Sequence, residues 1–313
     1  MPSHFDIAIA WDWEFDREFV SLLEHAVRAR GLTSLNVSPS TLQETLTQTR
    51  RGEFTFMALL DRASDTDESF LPFAQAVRLT AARIINLPEA VRHAADKATM
   101  HLEFLTNGID VPYSLIISPY SERQEVGISI DDLARLGRPF IIKPANTTGG
   151  GTGVILGAET LRDVVESRLH HKNDKYLLQE KIEPACAGGE TGWFRVFWAF
   201  GSIIPCWWNP DSHIYRAVQS GAFDGHSLAP LEEMTRNIHD VCQLDFFSTE
   251  IALTRRGKFV AVDYVNEICD MRLQSLHPDG VPDPVVMKIC DSFADFVKSY
   301  KIQAISAADS NSA

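Results

Sequence analysis

Two acidic residues interrupt apolar runs in 247–272, FSTEIALTRRGKFVAVDYVNEICDMR. The pattern reads as two strands joined by a tight turn at Arg256-Gly257; Glu250 lies on the first, Asp263 on the second, and Asn266 at the second strand's end. An unpaired carboxylate is costly to bury, so acids set among the apolar residues of 251–253 and 259–262 need a partner or a task. Hard cations such as Mg²⁺ take oxygen ligands, usually one or two carboxylates completed by substrate phosphates. Glu250, Asp263 and Asn266 are such a donor set. The plain alternative is an alternating strand that turns its polar face to water.

A second stretch, 138–157 (RPFIIKPANTTGGGTGVILG), runs a buried strand into Lys143-Pro144. A Thr/Gly loop with Gly149, Gly150, Gly151, Thr152 and Gly153 follows, and then a second apolar strand over 154–156. Glycine lets the backbone take φ > 0 and approach a ligand with no Cβ in the way. Successive N–H groups in such a loop form a nest for phosphate oxygens, and Lys143 adds a point charge. No Gly-Lys-Ser/Thr follows, and the next element is a strand, so this is neither a P-loop nor a dinucleotide fingerprint. A flexible hairpin is the competing reading.

The elements that must position these groups follow from periodicity. Strands over 5–11, 32–37, 54–60 and 83–87 alternate with helices over 15–30, 41–50 and 70–81, which implies a doubly wound parallel sheet covering 1–88. Trp11, Asp12 and Trp13 end its first strand, where such sheets bind ligands. A helix with a break spans 89–107, and a strand spans 111–117. Ser129 and Asp132 form a capping-box signature for a short helix closed by Gly137. A helix over 160–170 and a strand over 175–182 complete the middle region. Strands over 193–200, 202–208, 248–253 and 258–265 read as one antiparallel sheet. The 209–229 stretch reads as an irregular loop carrying His213, Tyr215 and Arg216. Helices are expected over 231–242 and 283–300, with a small, polar, disordered tail over 303–313.

Composition narrows the function classes. The 313 residues are 45% hydrophobic and 23% charged, ordinary for globular domains, and carry a net charge of −13. Such a charge argues against nucleic acid or an anionic membrane as partner, although local Lys/Arg clusters can still hold a small polyanion. No signal-peptide pattern opens the chain and no apolar run approaches membrane-spanning length. The five dispersed cysteines show no metal spacing, so reduced thiols in a cytoplasmic protein are expected.

The order of these parts resembles the ATP-grasp superfamily of carboxylate–amine ligases, such as D-alanine–D-alanine ligase and ribosomal-protein glutamate ligases. The resemblance covers about 88–270, with 1–88 similar to the family's N-terminal domain. It implies three units, 1–88, a central lid unit over 89–184 and a metal-bearing unit over 185–302. Asp96-Lys97 with 105–112 is similar to the segment that supplies a first phosphate lysine, and 140–144 to the segment supplying the second, Lys143. Gly149 to Gly153 would form the mobile loop over the β- and γ-phosphates. Gln179, Glu180, Lys181 and Ile182 would be the adenine hinge, and Glu190 or Glu183 the acidic ribose contact. Arg195 falls where the family places an arginine near the transferred phosphate, and Glu250, Asp263 and Asn266 fall on its Mg²⁺ ligands. One departure stands out. The family has its Asn two residues after the second acid, whereas Asp263 and Asn266 are three apart. The extra residue implies a bulge that re-aims Asn266, or that makes Glu267 the ligand.

The resemblance implies ATP and Mg²⁺ as cofactors, small-molecule carboxylate and amine substrates, and an acyl phosphate intermediate; a homodimer is left open. An ATP-grasp kinase and a non-catalytic nucleotide-binding regulator are the alternatives. An acidic substrate entering so negative a protein needs local positive charge. Arg195, Arg216 and Arg272 are therefore expected to converge on one cleft with Glu250 and Asp263, with Arg216 or Arg272 clamping the carboxylate.

Overall fold

A computed structural model describes residues 2–147, 151–187, 189–218 and 227–310. The chain opens with β1 (Ser3–Trp11), α1 (Arg17–Ala29), β2 (Ser34–Val37), α2 (Leu42–Arg50), β3 (Phe54–Arg62), α3 (Leu71–Arg78) and β4 (Arg83–Ile85). The four strands pair in parallel in the order β2-β1-β3-β4. β1 is covered on both faces, as a parallel strand must be. Ile7 and Ile9 enter one core, and Ala8 and Ala10 enter another with Phe56, Phe70 and Phe73. α1 buries Phe19, Val20, Leu23, Ala26 and Val27, a stripe of helical period that packs on α9, described below.

The middle region comprises α4 (Pro88–Ala95), α5 (Lys97–Thr106), β5 (Ser114–Ile117), α6 (Ile130–Leu136), β6 (Phe140–Pro144), β7 (Ile155–Ala158), α7 (Leu161–Arg168) and β8 (Tyr176–Glu180). Its strands form an antiparallel sheet, β5-β8-β6-β7. Asp96 breaks the long helix because its carboxylate caps the next one, accepting from the N–H groups of Ala98 and Thr99. The expected capping box at Ser129 and Asp132 is present, and α6 ends at Gly137 with φ +73°. Arg168 is fully buried, and its guanidinium donates to the carbonyls of Ser118, Arg123 and Gln124. It thereby pins the polar turn region ahead of α6.

The remainder is a short hairpin, β9 (Cys186–Ala187) and β10 (Glu190–Thr191), then β11 (Trp193–Ala199), β12 (Ser202–Asn209), β13 (Ile214–Ala217), α8 (Ala229–Cys242), β14 (Phe246–Leu253), β15 (Phe259–Asn266) and α9 (Asp283–Ser310). The five-stranded sheet runs β13-β12-β11-β14-β15, antiparallel throughout. One face, with Trp193, Phe197 and Trp208, shares a core with Ile7, Ile9, Leu23 and the α9 residues Ile289 and Phe293. The other face, with Phe194, Trp207 and Ile251, is covered by Phe104 of α5 and by Leu231 and Ile238 of α8.

Two expectations are corrected. Part of the stretch read as an irregular loop forms β13, an edge strand whose Tyr215 packs under Trp208. The residues expected as a disordered tail continue α9 to Ser310. Small residues there include alanine, the strongest helix former, and extending an existing helix costs far less than starting one.

Candidate active site

Glu250 and Asp263 stand directly opposite each other on β14 and β15. Cross-strand partners project from the same face, so their carboxylates meet. The ladder breaks on both sides of the pair. Ser248 pairs with Asn266 and Ile251 with Ala261, so β15 carries one extra residue before the pair and one after it. The bulge inferred from the Asp263–Asn266 spacing is therefore present. The Val262 carbonyl, freed by the other irregularity, accepts from Lys143 Nζ at 3.1 Å.

Three cations surround the two acids. Lys97, the first residue of α5, and Lys143 on β6 approach Asp263 Oδ1 to 3.8 and 3.9 Å. Arg195 on β11 donates from Nη1 to Glu250 Oε1 at 2.8 Å, and Trp193 Nε1 donates to Glu250 Oε2 at 3.1 Å. Burial pushes the Asp263 carboxyl up, but Lys97, Lys143 and Arg195 outweigh it and hold it down at about 2. Burial likewise holds the Lys143 ammonium below its usual range, against the pull of Asp263 and Glu250. The three positive groups face Glu250, Asp263 and, within electrostatic reach of Lys97 and Asp263, the partly buried Glu267; a divalent cation bound among these acids would give the cluster the sign that favours an anionic ligand.

The donor set fits Mg²⁺. Two carboxylates face each other, and Asp263 keeps 32% of its side chain exposed. Among the described residues no group of three His, Cys, Asp or Glu gathers as a self-sufficient metal site. Mg²⁺ does not need one when substrate phosphates complete its shell.

The glycine loop begins beside this cluster. Asp174 is buried and fixes its first residues, accepting from the N–H groups of Asn146 and Thr147 at 3.0 and 3.2 Å and from Thr147 Oγ1 at 2.9 Å. Gly149 and Gly150 lie outside the described residues. Gly151 and Gly153, either side of Thr152, have φ of +80° and +76°, and a Cβ on Gly153 would sit 3.0 Å from Pro144 Cγ. Valine at either position is strained by its φ alone. Gly151→Val is expected to raise the KM for ATP severalfold and to lower the melting temperature by a few degrees, a loss that comes from its φ and not from a clash, since Gly151 has open space around it. Unchanged ATP kinetics would remove this loop from phosphate binding.

Gln179 and Glu180 end β8, and Lys181 and Ile182 leave it toward β9. Gln179 is buried on the β8 face shared with Leu177, the partner of Lys143. Its Nε2 donates to Tyr264 Oη at 3.4 Å, which in turn bonds His101 Nδ1 at 2.6 Å. Glu180 closes onto Tyr113, accepting from its N–H at 2.7 Å.

The expected convergence of three guanidinium groups does not occur. Arg195 pairs with Cys206, but Arg216 pairs with Trp207, the neighbour of opposite orientation. Strand alternation therefore sends Arg216 to the other face of the sheet, where it is 68% exposed and bonds Glu190 at 2.6 Å. Arg272 lies over Trp13 at 5.9 Å, and its guanidinium is shared between Asp270 and Asp279, at 2.7 and 2.9 Å. Its fork is thus occupied, and no free clamp for a substrate carboxylate is left there. The other ribose candidate, Glu183, pairs with Arg255 at 3.0 Å on the exposed surface.

Two contributors, Asp174 and Ser248, went unmarked in the sequence reading, and a third, Asp96, was marked only as the neighbour of Lys97 and not as its helix cap. Asp174 carried no local signal, because its partners lie 27 and 28 positions away. Asp96 could have been found as the cap before Lys97; it also bonds Lys175 at 3.2 Å. Ser248, two residues from Glu250 and so on the same strand face, accepts from Arg195 Nε at 3.2 Å.

No protein-family model matches the sequence, nor does any curated protein. Solved structures do match. A RimK-domain ATP-grasp protein from Sphaerobacter thermophilus is 22% identical over 93% of this chain and 98% of its own, with a TM-score of 0.63. The ATP-grasp ligase PsnB, complexed with precursor peptide PsnA2 and AMPPNP, is 17% identical over 96% and 99%, with a TM-score of 0.62. The D-cycloserine synthetase DcsG is 17% identical over 94% and 100%, with a TM-score of 0.57. The likeness spans nearly the whole of each chain.

Proposed function

We propose that this chain, which has the ATP-grasp fold, is an ATP-dependent ligase. It would activate a substrate carboxylate as an acyl phosphate for attack by an amine, releasing ADP. The observation that carries the reading is the cluster of Lys97, Lys143 and Arg195 about the facing pair Glu250 and Asp263. Phosphoryl transfer passes through a loose, highly charged transition state, so catalysis is chiefly charge neutralisation and alignment. Lys97 and Lys143 would face the phosphate oxygens, and Arg195 the phosphoryl group in transit. Glu250 and Asp263 would hold Mg²⁺, which when bound supplies charge neutralisation. The backbone of the hinge from Gln179 to Ile182 would hold the adenine; Glu190, expected at the ribose, is instead engaged by Arg216 on the other sheet face. The Gly151–Gly153 turn would cover the phosphates and keep water from the acyl phosphate.

PsnB was solved with a precursor peptide, and so was the macrocyclase MdnC of Microcystis aeruginosa. A peptide carboxylate therefore belongs among the substrate classes to be tried beside small acids.

Hydroxylamine offers the test, since it intercepts acyl phosphates as hydroxamates. With Mg²⁺-ATP and pooled carboxylic acids, ADP release should depend on an acid, and hydroxamate should accumulate in step with it. ADP release with a stable phosphorylated product and no hydroxamate would mean a kinase. Nucleotide binding with no ADP release under any pool would mean a regulator.

A further inference from the structure

Asn266 has one oxygen, and the structure commits it. In the amide orientation that satisfies both neighbours, Oδ1 accepts from Arg195 Nη2 at 2.6 Å and Nδ2 donates to the Ile268 carbonyl at 3.0 Å. An amide oxygen so close to a guanidinium is a poor ligand for a divalent cation, because two positive charges would share one uncharged acceptor; Glu250, also bonded to Arg195, differs in offering a full negative charge. The remaining contacts of Arg195 show what the oxygen does instead. Nε donates to Ser248 Oγ at 3.2 Å, Nη1 donates to Glu250 at 2.8 Å, and the group lies 5.4 Å from the Trp208 ring. Three of the five guanidinium N–H groups are thus held on three sides, which fixes its plane and leaves one N–H on each Nη. Two such donors are a fork for an oxyanion, and Arg195 keeps 14% of its side chain exposed to receive one.

The cause lies in the strand. Ser248 opposes Asn266 and Glu250 opposes Asp263, so β15 carries one residue more than β14 between these pairs. The extra residue sets Asn266 opposite Ser248, on the strand face that also carries Glu250 and Asp263, and there it meets Arg195. We propose that Asn266, together with Ser248, is a positioning residue for Arg195 rather than a ligand of the metal. The inference rests on the nucleotide reading above. The metal would then fall to carboxylates, Glu250 and Asp263 with Glu267 within reach, and to the phosphates.

The test compares binding of ADP and AMPPNP by calorimetry, and of Mn²⁺ to the protein–ADP complex by electron paramagnetic resonance. Asn266→Ala should weaken AMPPNP by roughly tenfold relative to ADP, the loss of a charge-assisted hydrogen bond aimed at the terminal phosphate. Its Mn²⁺ affinity should stay within about twofold of wild type, whereas Asp263→Asn should lose tenfold or more. Ser248→Ala should shift the AMPPNP-to-ADP ratio in the same direction. With Arg195→Met in place, neither substitution should shift the ratio further. Asn266→Ser, which keeps a polar group in the pocket, carries the same expectations should the alanine variant not fold. A tenfold loss of Mn²⁺ affinity in Asn266→Ala with the nucleotide ratio unchanged would make Asn266 a metal ligand and overturn the proposal. Wild-type protein that binds neither nucleotide would overturn the nucleotide reading, and this inference with it.

Discussion

Asp263→Asn is expected to lower ATP turnover by at least about a hundredfold in a protein that still folds. Asparagine keeps the shape and one oxygen but removes the charge that Lys97 and Lys143 share and that a divalent cation would need. The fold should survive because Asp263 is a third exposed, and because Lys143 keeps the Val262 carbonyl as partner and Glu250 nearby. Stability should still fall, and its pH dependence identifies the cause. Asp263 is depressed in the folded protein from 3.8 to about 2, so its contribution is full above pH 3.8 and vanishes as pH falls through about 2. Urea midpoints of wild type and variant should therefore differ near pH 6 and draw together between these two values. A folded variant with undiminished turnover would sink the assignment. A midpoint difference that persists unchanged at the acid end would show that packing, not charge, was lost.

Why Asp263 was legible while Arg216 was misplaced comes down to the range of the interactions. A carboxylate inside an apolar β run violates local pattern, so the sequence itself marks Glu250 and Asp263 as needing partners. Lys143 was marked in the same way by a buried strand ending at a glycine loop. Even the bulge could be counted from one residue too many before Asn266. Arg216 required the register of an edge strand hidden in a stretch without alternation, and a shift of one residue moves a side chain to the opposite face. Arg272 failed for a different reason. Its acids, Asp270 and Asp279, are near in sequence, but only the path of the loop brings them onto one guanidinium. The parallel sheet, the large antiparallel sheet and the main helices are written in periodicity, whereas the pairing of the middle strands into a second antiparallel sheet is not. The contacts that hold them together are not, and the buried pair of Arg62 and Asp16 shows this best.

Arg62 and Asp16 are each 2% exposed in their side chains and meet through two hydrogen bonds, at 2.7 and 2.8 Å. Arg62 ends β3, and Asp16 lies in the turn before α1, so the pair closes the ligand-facing end of the parallel sheet. Arg62 Nη2 also donates to the Cys269 carbonyl at 2.9 Å, tying that end to the segment that follows Asn266. Removing one partner strands a charge in a site without water, so Asp16→Ala is expected to cost about 3–5 kcal/mol, measured by denaturant unfolding. That is a fifth or more of the stability of a typical domain. The pair need not be worth that much by itself. Replacing both residues with apolar ones of similar size, Asp16→Leu with Arg62→Met, should recover most of the loss, because the penalty belongs to the orphaned charge. Function should not recover alongside. The double variant lacks the donor to Cys269, so the segment carrying Asn266 and Glu267 loses its tie to the parallel sheet. Amide hydrogen exchange over 267–272 should rise in the double variant even where global stability is restored. A single variant costing under about 1 kcal/mol would mean that water reaches this pair. Exchange over 267–272 unchanged in the double variant would mean that the packing of Cys269 and Met271 in the shared core holds the segment instead.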